Sequence, residues 1–278
     1  MDAMATIPAR HMRSLSILFP SAQAQMALAS IADGNTEAQC WAMTNTGQFD
    51  AVLLWDKGNV VFYLAGDVAT DDVTRTLASL FAGTIWALAA KEDLHYFSAS
   101  AMSPLMDRVL PDILHDVTLH RINKRFYSYP PERAISLAQP GLDEVEFLPI
   151  DAKLLNIRLG HVDQVSGEVR WMWPDMERYD RYGFGVAAKW QDQLICWCTA
   201  EYVSDSECGI GIETVPAFQG KNIATATAGR FVRESLARGL RPHWECNSEN
   251  LASVRVAEKV GFTLTEESVF WAGQFPQP

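Results

Sequence analysis

The segment Ile210–Thr225, IGIETVPAFQGKNIAT, constrains the fold of this chain more than any other. A hydrophobic strand ends at a proline, the chain turns through Gly, Lys and Asn, and a helix begins. The first turn of a helix has no internal acceptors for its backbone N–H groups. Residues from Gln219 to Thr225 can therefore aim a row of donors at an anion such as a pyrophosphate. The side chains there are small or basic and leave the approach open. Asn222 stands where left-handed backbone is needed, a conformation Asn tolerates better than other non-glycine residues. The helix is expected to run to Arg238. Ile223, Ala224, Ala228, Phe231, Val232, Ser235 and Leu236 recur at helical steps as one buried stripe, and Gly239 closes it. A strand at His243–Cys246 follows.

A strand-to-helix turn with a Gly and a Lys is common by itself. The next stretch, NSENLASVRVAEKVGF (Asn247–Phe262), supplies a second such junction, with Asn250 able to cap a helix and Gly261 able to end it. At these residues the chain resembles the GNAT acetyltransferase superfamily. That family's phosphate turn reads Q/R, x, x, G, x, G/A; Gln219, Gly220, Lys221, Asn222, Ile223 and Ala224 match it, with Asn222 in place of the first motif glycine. Asn250, Ser253, Gly261 and Phe262 match the downstream pattern of Asn, a small residue and a helix ending in GF. A closer resemblance is to two-part GNAT proteins of the zwittermicin A resistance type. It rests on GIGIETVPAFQGKNIATA, RGLRPHWECNSENLAS and AEKVGF, and covers residues 141 to 278 well and the first half loosely.

The resemblance implies an α/β (α+β) protein, with a central mixed, mostly antiparallel sheet flanked by helices. A catalytic domain would span 141–278, preceded by a degenerate GNAT-like domain at 13–135. The coenzyme implied is acetyl-CoA. Backbone groups of Ile212, Glu213 and Thr214 would pair with its pantetheine arm, and Gln219, Gly220, Lys221, Asn222, Ile223, Ala224 and Thr225 would surround its pyrophosphate. Asn250 and Ser253 would serve at the second junction. Lys221 could add charge near the phosphates or simply face solvent.

Acyl transfer to an amine needs a base, because a protonated amine has no lone pair. Glu245, five residues before Asn250, stands at a spacing that carries the base in some GNAT members; Glu213 is the rival, and a solvated carboxylate is the other reading of each. Many members place a tyrosine acid seven residues after the Asn, where this chain has Ala257, so Tyr202 or a water would substitute. Arg170, Trp171, Trp173, Glu177, Arg178 and Tyr179 come from the region that covers the acceptor in GNAT folds, with core packing as the other reading of the two tryptophans. The acceptor implied is a primary amine of a small molecule.

Composition limits the alternatives. A chain of 278 residues with 48% hydrophobic content can build two cores. Its net charge of -11 argues against a nucleic-acid binder, and hence against a charged tRNA as acceptor. An acyl-CoA-binding sensor or interaction protein without turnover is the competing class, motivated by Ala257 and Asn222. The five cysteines are odd in number and lie within expected strands, which suits a reducing cytoplasm over a disulfide framework. Cys196 and Cys198 share a strand face, but no second Cys or His pair has zinc spacing, and no metal is expected. No apolar segment is expected to cross a bilayer. The longest candidate, Ser79–Ala90, is short, contains Gly83 and Thr84, and reads as a buried helix. Residues 1 to 12 read as a loose tail, and a homodimer is left open.

The expected boundary lies near Pro130 to Gly141, where YPPERAISLAQPG breaks periodicity. The second half reads as β, α, α, β, β, β, α, β, α with a closing strand at Glu267–Trp271, its first two helices at Leu154–Gly160 and Glu168–Tyr182. The first half repeats much of this order. It has strands at Cys40–Thr44, Phe49–Trp55 and Val60–Leu64, a helix at Asp72–Ala90, a strand at Leu94–Ser98, a helix at Pro104–Leu114 and a strand at Leu119–Tyr127. Where the phosphate turn would fall it has Gly66 to Asp72, with carboxylates at Asp67, Asp71 and Asp72 that favour the helix dipole and would repel a pyrophosphate. One coenzyme site per chain is the expectation; an unrelated α+β domain is the other reading of the first half.

Overall fold

The computed structural model describes residues 4–45, 48–67, 70–133, 135 and 142–276. The chain divides into two compact units, Met1–Asn123 with Ser268–Pro278, and Lys124–Glu267.

Unit 1 opens with β1 (Ala5–Thr6), a 3-10 turn (Ala9–Leu18) and helix α1 (Ala22–Ala32). The N-terminal stretch is therefore built in from Met4 onward and is not a tail. β1 pairs with Trp41 and Ala42, and Met12 and Leu15 are buried. Ser21 caps α1 by accepting from the Ala24 N–H. Strands β2 (Ala38–Asn45), β3 (Gln48–Asp56) and β4 (Val61–Ala65) follow as an antiparallel series. Next comes a continuous helical run, from α2 (Asp71–Leu80) through a π turn (Phe81–Ile85) to α3 (Trp86–Lys91). β5 (Tyr96–Ala101) lies parallel to β4, and α4 (Pro104–Ile113) leads to β6 (Leu119–Ser128).

The helical run is longer than the expected Ser79–Ala90 candidate. Among the described residues, Asp71–Lys91 is the one segment long and apolar enough to cross a membrane by length and composition. Its Val73, Leu77, Phe81, Ile85 and Ala89 are buried in the unit 1 core at steps of four residues. An α-helix has 3.6 residues per turn, so a strict step of four drifts around its surface. The wider π turn takes up the extra residues and keeps the stripe facing the core. Phe62 sits at the centre of that core, with ring centroids of Trp55, Phe81 and Phe97 at 5.1, 5.0 and 5.6 Å.

Unit 2 contains β7 (Glu146–Pro149), α5 (Ala152–Leu155), α6 (Val162–Met172), α7 (Met176–Tyr182), β8 (Gly185–Trp190), β9 (Gln193–Glu201) and β10 (Glu207–Thr214). Helix α8 (Ile223–Ala237), β11 (Arg241–Asn247), α9 (Leu251–Val260) and β12 (Thr263–Gln274) complete the chain. β7 to β10 are antiparallel in sequence order, and β10 lies parallel to β11. The expected helix at Leu154–Gly160 is one turn, α5, because Gly160 turns away to bridge Gln193. The expected helix at Glu168–Tyr182 is two, α6 and α7. Pro174 interrupts the run and Asp175 caps α7 through the Arg178 N–H.

Two strands are divided between the units. Lys124–Ser128 of β6 pairs with β11 in unit 2, and Trp271–Gln274 of β12 pairs with β5 in unit 1. The division thus falls within β6 and β12, whereas composition marks the stretch from Pro130 to Gly141, of which 134 and 136–141 lie outside the described residues. Pairing between distant strands sets it, and local composition does not encode such pairing. Each unit presents the same order: four antiparallel strands with helical segments between the first and second, then a helix, a parallel strand, a helix and a last strand.

Phe62→Ala should destabilise unit 1 by about 3–5 kcal/mol, the usual cost of emptying a large aromatic site. Urea titration followed by tryptophan fluorescence measures the loss.

Candidate active site

β10 and β11 are paired only at Glu207–Arg241, Cys208–Pro242 and Gly209–His243. Beyond that point they part. β10 continues with β9 as far as Thr214–Cys196, while β11 continues with β6. The opened edge of β10 from Ile210 to Thr214 has no strand partner on the gap side; the Thr214 carbonyl accepts from Gln219 Nε2 at 3.0 Å, and the rest of the edge is a costly arrangement unless something pairs with it. At the end of β10 the chain turns into α8. Asn222 has φ 59° and Gly220 φ 74°. A Cβ added at Gly220 would meet nothing within 4 Å, so the turn is open above it. Among the described residues no side chain caps α8, and its first turn holds no acid.

Gap and turn together form a cleft of about 570 Å³. Ile212, Glu213, Thr214, Gln219, Gly220, Asn222, Ile223, Ala224, Thr225, Asn250 and Ser253 all line it. Lys221 does not; its ammonium lies 5.0 Å from the Phe218 ring centroid. Glu245 is also outside the lining. Phe218, Trp244, Ala252, Arg255, Val256 and Lys259 line the cleft as well and were not picked out by sequence reasoning. The four on α9 follow Asn250 at helical spacing, a signal the sequence does carry. Arg255 and Lys259 bring positive charge to the wall opposite the turn, and Lys259 Nζ donates to Asn222 Oδ1 at 3.2 Å. Asn250 caps α9 through the Ser253 N–H, and the Ser253 hydroxyl accepts from Trp244 Nε1 at 2.9 Å.

The first half of α8 differs from the single stripe expected. Thr225 to Gly229 are all buried, because α8 packs both on the sheet and against α9.

Among the described residues unit 1 lacks the opening. Its parallel strands stay paired from Val61–Ser98 to Leu64–Ala101, and the Met102 N–H continues the ladder to the Leu64 carbonyl at 2.7 Å. Its helix is capped by Thr70 through the Val73 N–H and carries Asp71 and Asp72 in the first turn. Val68 and Ala69, within the compared turn, lie outside the described residues.

Strand alternation puts Ile212, Thr214, Trp244 and Cys246 on the α8 and α9 face of the unit 2 sheet, and Glu213 and Glu245 on the other. On that second face Trp197 stands opposite Glu213 and donates to Glu168 Oε2 of α6 at 2.8 Å. Burial pushes the Glu168 carboxyl above its ordinary pKa; the indole bond opposes the shift and the Glu213 charge adds to it. Glu245 forms a close ion pair with Lys124, both largely buried. Trp173 is buried, donating to the Ala200 carbonyl at 3.0 Å, and Tyr179 OH donates to the Ile150 carbonyl at 2.9 Å. These two are packing residues, whereas Trp171 is 52% exposed. Arg170 and Glu177 are exposed, Arg178 is half-buried, Tyr202 is buried with φ 47°, and Ala257 is fully buried. The five cysteines are buried as free thiols, and burial raises Cys196 to about 11 and Cys208 to about 12. Among the described residues no group of three His, Cys, Asp or Glu is placed to hold a metal ion.

A parallel pair that opens beside an uncapped helix is the hallmark of one enzyme class, and the GNAT acetyltransferase family profile matches residues 17–270. The chain belongs to that family and is an acyltransferase of the GNAT type. The uncharacterized N-acetyltransferase YdfB of Bacillus subtilis is 23% identical over 214 residues, covering 77% of this chain and 78% of its own. Among solved structures, the GCN5-related N-acetyltransferase-like protein of Streptococcus suis superposes with a TM-score of 0.69 at 16% identity, over 95% of this chain and 99% of that one. A tandem GNAT protein from the clavulanic acid biosynthesis pathway gives 0.57 at 10% identity, over 99% of both chains. At such identities these structures bear on the fold alone, which is a GNAT fold with a large mixed sheet flanked by helices.

The raised pKa of Glu168 predicts a pH-dependent stability. Below the ordinary glutamate pKa the group is protonated in both folded and unfolded chains and contributes nothing. As pH rises, the unfolded chain ionises first, so the wild type loses stability until the folded carboxyl has also titrated. Glu168→Gln keeps an acceptor for Trp197 and lacks that loss. Its melting temperature should match the wild type at acidic pH and exceed it at neutral pH, as thermal melts across a pH series will show.

Proposed function

We propose that unit 2 transfers an acetyl group from acetyl-CoA to a primary amine of a small molecule, once per chain. The single observation carrying this reading is the opening between β10 and β11 beside the uncapped start of α8. The open edge from Ile212 to Thr214 suits the amide-bearing pantetheine arm, and the turn from Gln219 to Thr225, with Arg255 and Lys259 opposite, suits the phosphates. The coenzyme supplies the acetyl thioester. A sensor that binds acyl-CoA without turnover is the second reading, favoured by the lack of a hydroxyl at Ala257.

The reacting amine must be held on the Glu213 and Glu245 face of the sheet and must lose a proton there. Glu213 stands in the cleft wall with its carboxylate accessible, so it takes the base role directly or through water. The Glu245 carboxylate is engaged by the Lys124 ammonium in a largely buried ion pair and does not line the cleft. Positioning the amine against the thioester supplies the rest. The two-part resistance proteins this chain resembles make an antibiotic-like or amino-acid-like amine part of the proposal. A cytoplasmic location accords with the buried free thiols.

Calorimetry should find one acetyl-CoA bound per chain, and Gly220→Glu should abolish it by setting a bulky anion in the open turn. Two equal sites, or none, would overturn the one-site reading. Glu213→Gln should keep coenzyme affinity and lower kcat by roughly a hundredfold or more. Glu245→Gln should instead lower stability, because it strands the Lys124 ammonium. A folded, coenzyme-binding Glu245→Gln without turnover would move the base to Glu245.

A further inference from the structure

A second cavity in unit 2, of about 520 Å³, shares no lining residue with the cleft beside β10. β7 and β8 form one wall and α8 the other, with Tyr179 and Asp180 of α7 at its border. Arg230, Arg233 and Arg238 of α8 all reach it. Arg230 and Arg238 stand about 12 Å apart along the helix axis, so they mark two ends.

The two ends differ in charge balance. Arg238 lies against Phe184, and its Nε donates to Glu234 Oε1 at 2.8 Å. Burial holds the Tyr179 phenol above its ordinary pKa; the charges of Asp151 and Asp180 add to that shift and Arg238 opposes it. Positive and negative groups therefore answer one another at the Arg238 end.

At the other end the Arg230 guanidinium lies 3.6 Å from the Phe147 ring centroid and donates from Nη1 to the Ala226 carbonyl at 3.1 Å. Arg233 follows one turn later. Among the described residues no carboxylate pairs with either arginine. Burial lowers the Arg230 pKa, the Arg233 charge lowers it further, and no acid offsets the two. Like charges a turn apart, one of them half-buried, are unfavourable until an anion answers them. The Ala226 carbonyl takes one of the five N–H donors of Arg230, and the others remain for an oxyanion that fits the guanidinium fork.

We propose that the Arg230 and Arg233 end of this cavity binds the carboxylate or phosphate group of a small molecule, at a site separate from the coenzyme cleft. Phe147, Pro149 and Val186 give that molecule an apolar wall, and the volume suits an organic acid or a phosphomonoester. The site stands independently of the transfer reading.

The test is calorimetric titration of the full chain with inorganic phosphate and with succinate, at constant ionic strength set by potassium chloride. A Gly220→Glu background keeps phosphate out of the turn before α8, so this cavity is read whether or not the coenzyme reading holds. Saturable binding of at least one of the two anions is expected, weakened about tenfold or more by Arg233→Gln, the scale of one charge-assisted hydrogen bond. Arg230→Gln should weaken it similarly, and Arg230→Lys should restore only part, because an ammonium lacks the fork. Arg233 is exposed, so its variant keeps the test decisive should Arg230→Gln lower stability. Tighter binding of phosphate identifies a phosphate ligand, and tighter binding of succinate a carboxylate. No saturable binding of either anion, or binding that Arg233→Gln leaves unmoved, overturns the proposal.

Discussion

The parting of β10 from β11 after Gly209 is the constraint on which the site depends. Two parallel strands that stayed paired would satisfy their own backbone groups and leave no slot, as β4 and β5 do in unit 1. Once they separate, each edge needs another partner. β11 finds its partner in Lys124–Ser128 of β6, and β10 is held by β9 on its far side only. The remaining free edge is the surface that a ligand with its own amide groups can complete. Under the proposed function a backbone cost in unit 2 becomes a binding site, whereas the described residues of unit 1 avoid that cost.

The turn after β10 works with that edge because of what it lacks. Gly220 and Asn222 take left-handed backbone, and no side chain reaches back to cap α8, so its N-terminal donors and dipole face the cleft. The corresponding helix in unit 1 has Thr70 as a cap and two aspartates over the same dipole end. The two units share an order of elements and differ where an anion would sit. Fold and function are separable in this way because the sheet order needs only hydrophobic alternation, while the site needs particular gaps in pairing and capping.

The acceptor face shows a similar economy. Strand alternation divides β9 and β10 between two environments: Cys196, Cys198, Ile212 and Thr214 toward α8, and Trp197, Thr199, Glu201 and Glu213 toward α6. One face packs the helix that carries the turn; the other sets Glu213 opposite Trp197. The indole of Trp197 ties Glu168 to this face and fixes where α6 stands over it.

Much of this was legible in the chain. The residues from Ile210 to Thr225 and from Asn247 to Phe262 specify strand, turn and helix by local rules: an Asn for left-handed backbone, an Asn cap, glycines as stops, and an apolar step of three and four. The family resemblance rests on those same residues, and most cleft-lining positions follow from it. Local rules failed where the decisive partner was distant. α1 has apolar and small residues all round and gives no stripe to read, and the N-terminal turn is held by burial of Met12 and Leu15. The division of β6 and β12 between units, the ion pair of Glu245 with Lys124, and the approach of Glu168 to Glu213 join residues far apart in sequence. The sequence alone determined the two junctions, because caps and turns are encoded within a few residues. Only the tertiary structure decided where the parallel strands part and which carboxylates meet, because strand partners and the faces they share are fixed by long-range packing.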